Sequence, residues 1–320
     1  MRRLIWVTGV FALIWTGAWF AAAFLIRESL ENTESVAVEA VEVSGFPLAL
    51  NIRMDSPRFA APSGQINLDT QELTITSPAW WPLNATLRLP SDMLRVTHTG
   101  QRFELLTMNA SVGSKIRPTA ALELSSVALQ SGEWTLNGFE QRLVGGAAIG
   151  FALQQVDQRP TQYDWVGNLD ALSLGPTLRA LINVPADWPS ALSAMAAQGT
   201  IRFEEPLSRH HLDGPPPKPR ALVIEKAQAV WGSSEVELEG KIEIDARGVP
   251  EGDLSLFVKN WRALYLMIPV PLPVQAEIML NALANIGGNP ETMDLTLSFR
   301  DGVAFLGPIA LGPVPPLVMR

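Results

Sequence analysis

A stretch of twenty-three residues without a charge, opening on Leu4 and closing on Ile26, sets the first constraint on this chain. As a helix it rises about 34 Å, enough to cross a bilayer core of about 30 Å. Arg2 and Arg3 precede it, while Glu28, Glu31 and Glu34 follow with Arg27 the only cation on that side. The positive-inside rule then keeps the N-terminus in the cytoplasm and places everything after Arg27 beyond the membrane. Trp6 and Trp19 lie near the two ends, where indoles favour the water–lipid boundary, and Trp15 lies between them. The expected anchor residues are therefore Leu4, Trp6, Trp15, Trp19 and Ile26. A cleaved signal peptide is the competing reading, since Ala21 to Ala23 suit a peptidase; the apolar run exceeds the usual signal core of about 7–15 residues, which favours an anchor.

After a polar tether over residues 28–36, the dominant pattern has period two, the spacing of strands. Leu48, Leu50, Ile52 and Met54 alternate with Ala49, Asn51, Arg53 and Asp55, and similar runs recur at 66–69, 73–76, 83–89, 94–97, 103–108, 121–129, 147–153 and 163–174. Breakers such as Pro57, Pro62, Gly64 and Pro78 bound them. Turn signals every dozen residues or so predict a meander whose sequence neighbours pair. Two stretches, 176–197 and 274–286, carry apolar residues at helical spacing and are expected as short helices on the sheet, the first interrupted by Pro185 and Pro189. Residues 208–220 read SRHHLDGPPPKPR, an exposed loop because proline has no amide hydrogen for a ladder. The expected organisation is a cytoplasmic tip and anchor at 1–27, the tether, a first β-rich half at 37–207, that loop, and a second β-rich half at 221–320. The fold class is mainly β (α+β): a transmembrane helix, then an elongated, curved, mostly antiparallel sheet with a few short helices.

The strand over 235–245 is the clearest: Val236, Leu238, Ile242 and Ile244 point one way, and Glu235, Glu237, Glu239, Lys241, Glu243 and Asp245 the other. The closing LGPIALGPVPPL reads as an extended cap without regular ladders.

Composition narrows the function classes. With a net charge of −8 and no cluster of Lys and Arg, the chain lacks the basic stripe that nucleic acid requires. The absence of cysteine removes disulfides, thiolate metal sites and thiol catalysis. Hydrophobic residues make up 47% and charged residues 18%, which points to an ample core or an apolar groove. No nucleophile elbow or phosphate loop is present, so no enzyme activity and no cofactor are expected. His210 and His211, with Asp213, are better read as a solvated proline loop than as a metal site, and the acidic face of 235–245 as a solvated sheet face. Trp80 and Trp81 stand out among the indoles, because neighbours on a strand face opposite sides and cannot share one core; one of them is expected on an apolar surface, lining a groove or touching lipid.

Turn signatures in a fixed order carry a family resemblance: Gly45-Phe46-Pro47, Asp55-Ser56-Pro57-Arg58, Trp231-Gly232, Gly240, Gly248-Val249-Pro250-Glu251-Gly252, Asn260-Trp261, Asp301-Gly302, Leu306-Gly307-Pro308 and Leu311-Gly312-Pro313. With Trp15-Thr16-Gly17-Ala18-Trp19 ahead of them, they resemble the bacterial domain-of-unknown-function family 2125 over nearly the whole chain. The resemblance implies a membrane-anchored envelope protein and brings no catalytic residues. In outline the layout is also similar to AsmA-like envelope proteins, whose apolar β grooves are linked to lipid movement, an architectural analogy. The expectation is a single-pass protein of the bacterial inner membrane, its main domain periplasmic, partnered by the bilayer and binding a lipid or acyl chain on an apolar sheet surface. The alternative is a scaffold that binds another envelope protein and no ligand.

Overall fold

A computed structural model describes residues 2–31, 36–60, 66–89, 91, 93–267, 278, 280–282, 284 and 289–317, with the side chains of 2–13, 31, 66, 212 and 213 outside the description. The chain forms two compact units, one of residues 1–115 and 130–140, the other of residues 116–129 and 141–320.

The first unit opens with α1 (Arg2–Glu31) and continues through β1 (Val36–Ala37), β2 (Ala40–Ser44), β3 (Ala49–Asp55), β4 (Arg58–Ala60), β5 (Ile66–Asp69), β6 (Glu72–Pro78), β7 (Asn84–Arg88), β8 (Met93–His98), β9 (Gln101–Thr107) and β10 (Ser111–Ile116). After β11 (Leu124–Ser131), β12 (Trp134–Gly138) pairs back on β9. Successive elements are halves of long strands broken in the middle. β3 pairs with β2 and β6, while β4, its continuation, pairs with β1 and β5. The same holds for β7 and β8, which pair with β6 and β10 and with β5 and β9. The breaks stand side by side, forming a crease. Ser56 has φ 50° before Pro57, its N–H reaches Gln71 O at 2.7 Å, and Asn109 has φ 56° beside Ala110, whose carbonyl accepts from Leu89 at 2.9 Å. A proline without an amide hydrogen and residues in the left-handed region cannot continue a ladder, so the strand bends there. Beside the crease Val41, Met54 and Leu73 are buried, each contributing on the order of 1.5–3 kcal/mol by transfer from water.

α1 extends further than the expected 4–26. Among the described residues no helix is long and apolar enough to cross a membrane; Leu4 and Trp6, like Arg2 and Arg3, lie outside the described side chains. The later part of the helix packs on the sheet. Trp15, Trp19, Ala23, Ile26 and Leu30 recur every three or four residues and form one stripe. Trp19 and Ala23 cluster with Leu50 on β3, and Leu30 reaches the Val41–Met54–Leu73 cluster. The indole N–H of Trp15 donates to Pro47 O and that of Trp19 to Ala49 O, both at 3.0 Å. Trp19, expected at the membrane boundary, and Trp15, expected between the ends of the span, are thus held by carbonyls of the turn before β3 and of β3 itself. Ile14, Phe24 and Leu25 face away and are exposed, and Phe20 is exposed at the edge of the packed stripe.

The second unit is a consecutive antiparallel meander. β13 (Gln141–Gly146) and β14 (Ala148–Val156) both pair with β15 (Arg159–Leu174); after α2 (Pro176–Leu181) come β16 (Ala191–Phe203), α3 (His210–Asp213), β17 (Pro219–Trp231), β18 (Ser234–Ile244) and β19 (Pro250–Lys259). α4 (Trp261–Tyr265) precedes β20 (Thr292–Arg300), β21 (Val303–Leu306) and β22 (Ile309–Pro313), and from β14 to β22 each strand pairs with the next. The loop at 208–220 therefore joins two neighbouring strands, β16 and β17.

Two sequence expectations change here, and a third is met where it is described. The helical reading of 176–197 holds only for α2, since 191–197 begin β16: alanines on both faces of that strand conceal its alternation, and pairing with β15 and β17 outweighs alanine's helix preference. Of the second expected helix, residues 278, 280–282 and 284 are helical and the remainder lies outside the described residues. The closing segment forms the β21–β22 hairpin rather than an unpaired cap, with a register shift beside Ala304 that accommodates its glycines and prolines.

Candidate functional site

Register across the second unit puts one face of the sheet into rows. Phe151, Gly167, Ala197, Ala227 and Leu238 are cross-strand partners from β14 to β18, and the row continues through Leu256 and Leu295. The next row runs Ile149, Leu169, Met195, Ala229, Val236, Val258 and Met293. Every residue in both rows is apolar or glycine. A one-residue bulge between Ile224 and Ala227 keeps β17 in phase with both neighbours.

Over β18–β20 this face is covered. Val258 and Met293 are buried with Trp261, Leu280 and Ala284, and Leu256, Leu264, Tyr265 and Leu295 pack around them. Trp261 donates its indole N–H to Pro290 O at 3.2 Å and meets Tyr265 edge-on at 6.3 Å. Over β14–β18 the same rows line an open trough of about 400 Å³. Its floor across β15–β17 sets the small residues Gly167, Ala197, Ala227 and Ala229 beside Leu169 and Met195; Ile149 and Phe151 rise on one side and Val236 and Leu238 on the other. At about 4.8 Å per strand, β14 to β18 span about 19 Å. Asn168 and Gln228, the polar residues at its border, belong by alternation to the opposite face. The volume is that of a small-molecule site, and the lining offers no acid, base or nucleophile.

Further along the same strands, beyond each end of the trough, stand aromatic groups. At one end, Tyr163 on β15 is fully buried; its phenol accepts from Leu207 N–H at 3.0 Å and donates to Leu124 O at 3.3 Å, and burial pushes its pKa up. At the other, Trp231 donates to Pro189 O at 3.0 Å and stands edge-on to Trp188 at 6.2 Å.

The opposite face carries the charge. Glu243 pairs with Lys241 at 2.7 Å and with Arg202, two strands away, at 2.9 Å, and these hold its carboxyl below the usual range, the Lys241 hydrogen bond first. Glu235 accepts from Gln228 at 2.5 Å. Within the acidic row Glu243 is thus paired with two cations, and Glu235 accepts a neutral amide. Among the described residues no group of three or more His, Asp and Glu side chains is placed to hold a metal ion. His211 accepts from Ser208 N–H through Nδ1 at 3.1 Å, which leaves Nε2 to donate to Glu205 at 3.2 Å; the Asp213 side chain lies outside the description.

Trp80 and Trp81 belong to the first unit, in the turn between β6 and β7 rather than on a strand, and are 60% and 39% exposed. They are apart in the chain from the trough and belong to the other unit. Sequence reading did not find the trough residues. The available signal was a glycine or alanine on each of three successive strands, and it becomes legible only once register is known.

No curated protein matches the chain. A family model described as "Uncharacterized protein conserved in bacteria (DUF2125)" matches residues 19–315, from the sheet-packed part of α1 through the last hairpin, and the chain belongs to that family.

Proposed function

We propose that this protein is a non-catalytic, membrane-attached envelope protein that holds a lipid acyl chain in the trough of its second unit. The observation that carries the reading is the trough itself: a concavity of about 400 Å³ whose face-forming side chains are all apolar and whose floor sets glycine and alanine beside Leu169 and Met195. An acyl chain needs continuous apolar surface and no hydrogen-bond partners along its length, and leaving such a surface to water is costly, at about 25 cal/mol per Å². In this reading the sheet of the second unit curves about its apolar face. Attachment rests on the twenty-three uncharged residues from Leu4 to Ile26, and on Arg2 and Arg3, which orient the helix with its N-terminus in the cytoplasm and the β-rich units in the periplasm.

Gly167→Leu tests the trough. A Cβ on Gly167 meets Phe151 Cδ2 at 3.7 Å, ordinary van der Waals contact, so the floor accepts a side chain without moving backbone. Native mass spectrometry of the full chain from bacterial membranes is expected to show one bound lipid in the parent and at least a tenfold loss in the variant, with the melting temperatures of the two lipid-free chains equal. An apo mass for the parent, or equal retention in both, contradicts the reading and turns attention to the charged face as a protein-binding surface.

A further inference from the structure

We infer that the hairpin end of the first unit is a membrane seat, in which the loops 45–48 and 79–83 enter the lipid interface beside α1. The inference rests on the membrane attachment proposed above and is independent of the trough. It starts from a conflict of lengths. If α1 enters a bilayer from its N-terminus, the eleven uncharged residues ahead of Trp15 supply about 16 Å, half of the hydrocarbon core. The remaining depth must come from residues 15 to about 23, which carry Trp15, Trp19 and Ala23 on the stripe that faces the sheet. Lipid that reaches this part of the helix also reaches the strands and loops packed against it.

Those loops are built for lipid contact. Residues 45–48 read GFPL and 79–83 read AWWPL, nine residues without a charge. Phe46 stacks on Phe20 at 5.7 Å and stands edge-on to Trp19 at 5.5 Å, yet keeps 45% of its surface exposed. Ala79 N–H donates to Leu48 O at 3.0 Å, which joins the two loops at Ala79 and Leu48; Trp80, next in the chain, and Leu48 are 60% and 64% exposed. Phe24, on the outward side of α1, is 64% exposed. Large apolar side chains clustered in this way mark an interaction surface, and indole is the side chain favoured at a lipid headgroup.

Polarity changes along the strands in the same direction. From Pro47 the first charge on β3 is Arg53, about 20 Å along, where it pairs with Glu72 at 2.7 Å and Asp55 at 3.3 Å. α1 runs parallel to this gradient, with Trp15 at the Pro47 end and Leu30 beside Met54. The occupant is therefore a lipid bilayer, recognised by apolar and aromatic insertion rather than by headgroup charge.

Because the chain has no cysteine, single labelling sites can be introduced without background. Leu48→Cys, Trp80→Cys and, as the control near the crease, Gln71→Cys would carry a nitroxide on the full chain reconstituted with phosphatidylcholine vesicles. Flotation with the vesicles is expected, with the labels at 48 and 80 relaxed more by oxygen than by a polar nickel chelate and the label at 71 showing the reverse. Flotation with all three labels exposed to nickel overturns the seat and leaves attachment standing. Absence of flotation overturns attachment and the seat together.

Discussion

The same apolar face of the second unit meets two different fates. Over β18–β20 its rows carry Leu256, Leu295, Val258 and Met293, and the chain folds back through Trp261, Leu280 and Ala284 to close on them. Over β15–β17 the same two rows carry Gly167, Ala197, Ala227 and Ala229 among larger neighbours, and the face lies open. A cap on large side chains makes a core, while small side chains between taller walls make a container. The difference is one of side-chain volume in a shared register, which is why the open part reads as a binding surface and not as an unfinished core.

The comparison can be broken first at the capped part. Trp261→Ala removes the ring that joins the cap to the sheet and its hydrogen bond to Pro290; urea unfolding is expected to show a loss of about 3–5 kcal/mol. A loss below about 1 kcal/mol would mean that the cap is not a core. At the trough the contrast sharpens, because Gly167→Leu is expected to cost little in the same experiment while removing bound lipid. Gly199, one row away on β16, marks the limit of that tolerance, since a Cβ there runs into the Val223 carbonyl.

The smallest effect belongs to the charged face. Asp253 accepts from the buried Ser298 hydroxyl at 2.5 Å and from Arg300 at 3.5 Å, and the Ser298 bond, more than the arginine, holds its carboxyl below the usual range. A lowered folded-state pKa contributes stability that is present above the unfolded value and disappears as pH falls through the folded one. Asp253→Asn is therefore expected to melt below the parent at neutral pH, with the gap closing on acidification past the ordinary aspartate range. A gap independent of pH would assign the effect to packing.

Much of the strand content was legible from alternation. The run at 48–55 became β3, and 235–245 became β18 with its two faces as read, because one face buried and one wet is what period two records. Breakers such as Pro57 were visible too, although they mark a crease within paired strands as well as turns between them. β16 was hidden because Ala194, Ala196 and Ala197 give no polar–apolar contrast. The trough was hidden for a related reason: its floor is the coincidence of Gly167, Ala197 and Ala227 across three strands, and a bulge at 224–227 shifts the register that brings them together. Trp80 and Trp81 were conspicuous as adjacent indoles, but the joining of their loop to the one that carries Leu48 follows from the Ala79–Leu48 hydrogen bond, between residues thirty-one apart in the chain. The sheet-packed stripe of α1 was equally silent, since an all-apolar helix does not reveal which side meets protein.

Photo-crosslinking tests the central claim most directly. The full chain in bacterial membranes supplied with a diazirine-bearing fatty acid would be irradiated, digested and mapped by mass spectrometry. The account predicts adducts concentrated on β14–β18, at residues such as Phe151, Leu169, Met195 and Leu238, and their disappearance in Gly167→Leu. Adducts confined to α1 and the loops of the first unit, with none on those strands, would contradict it.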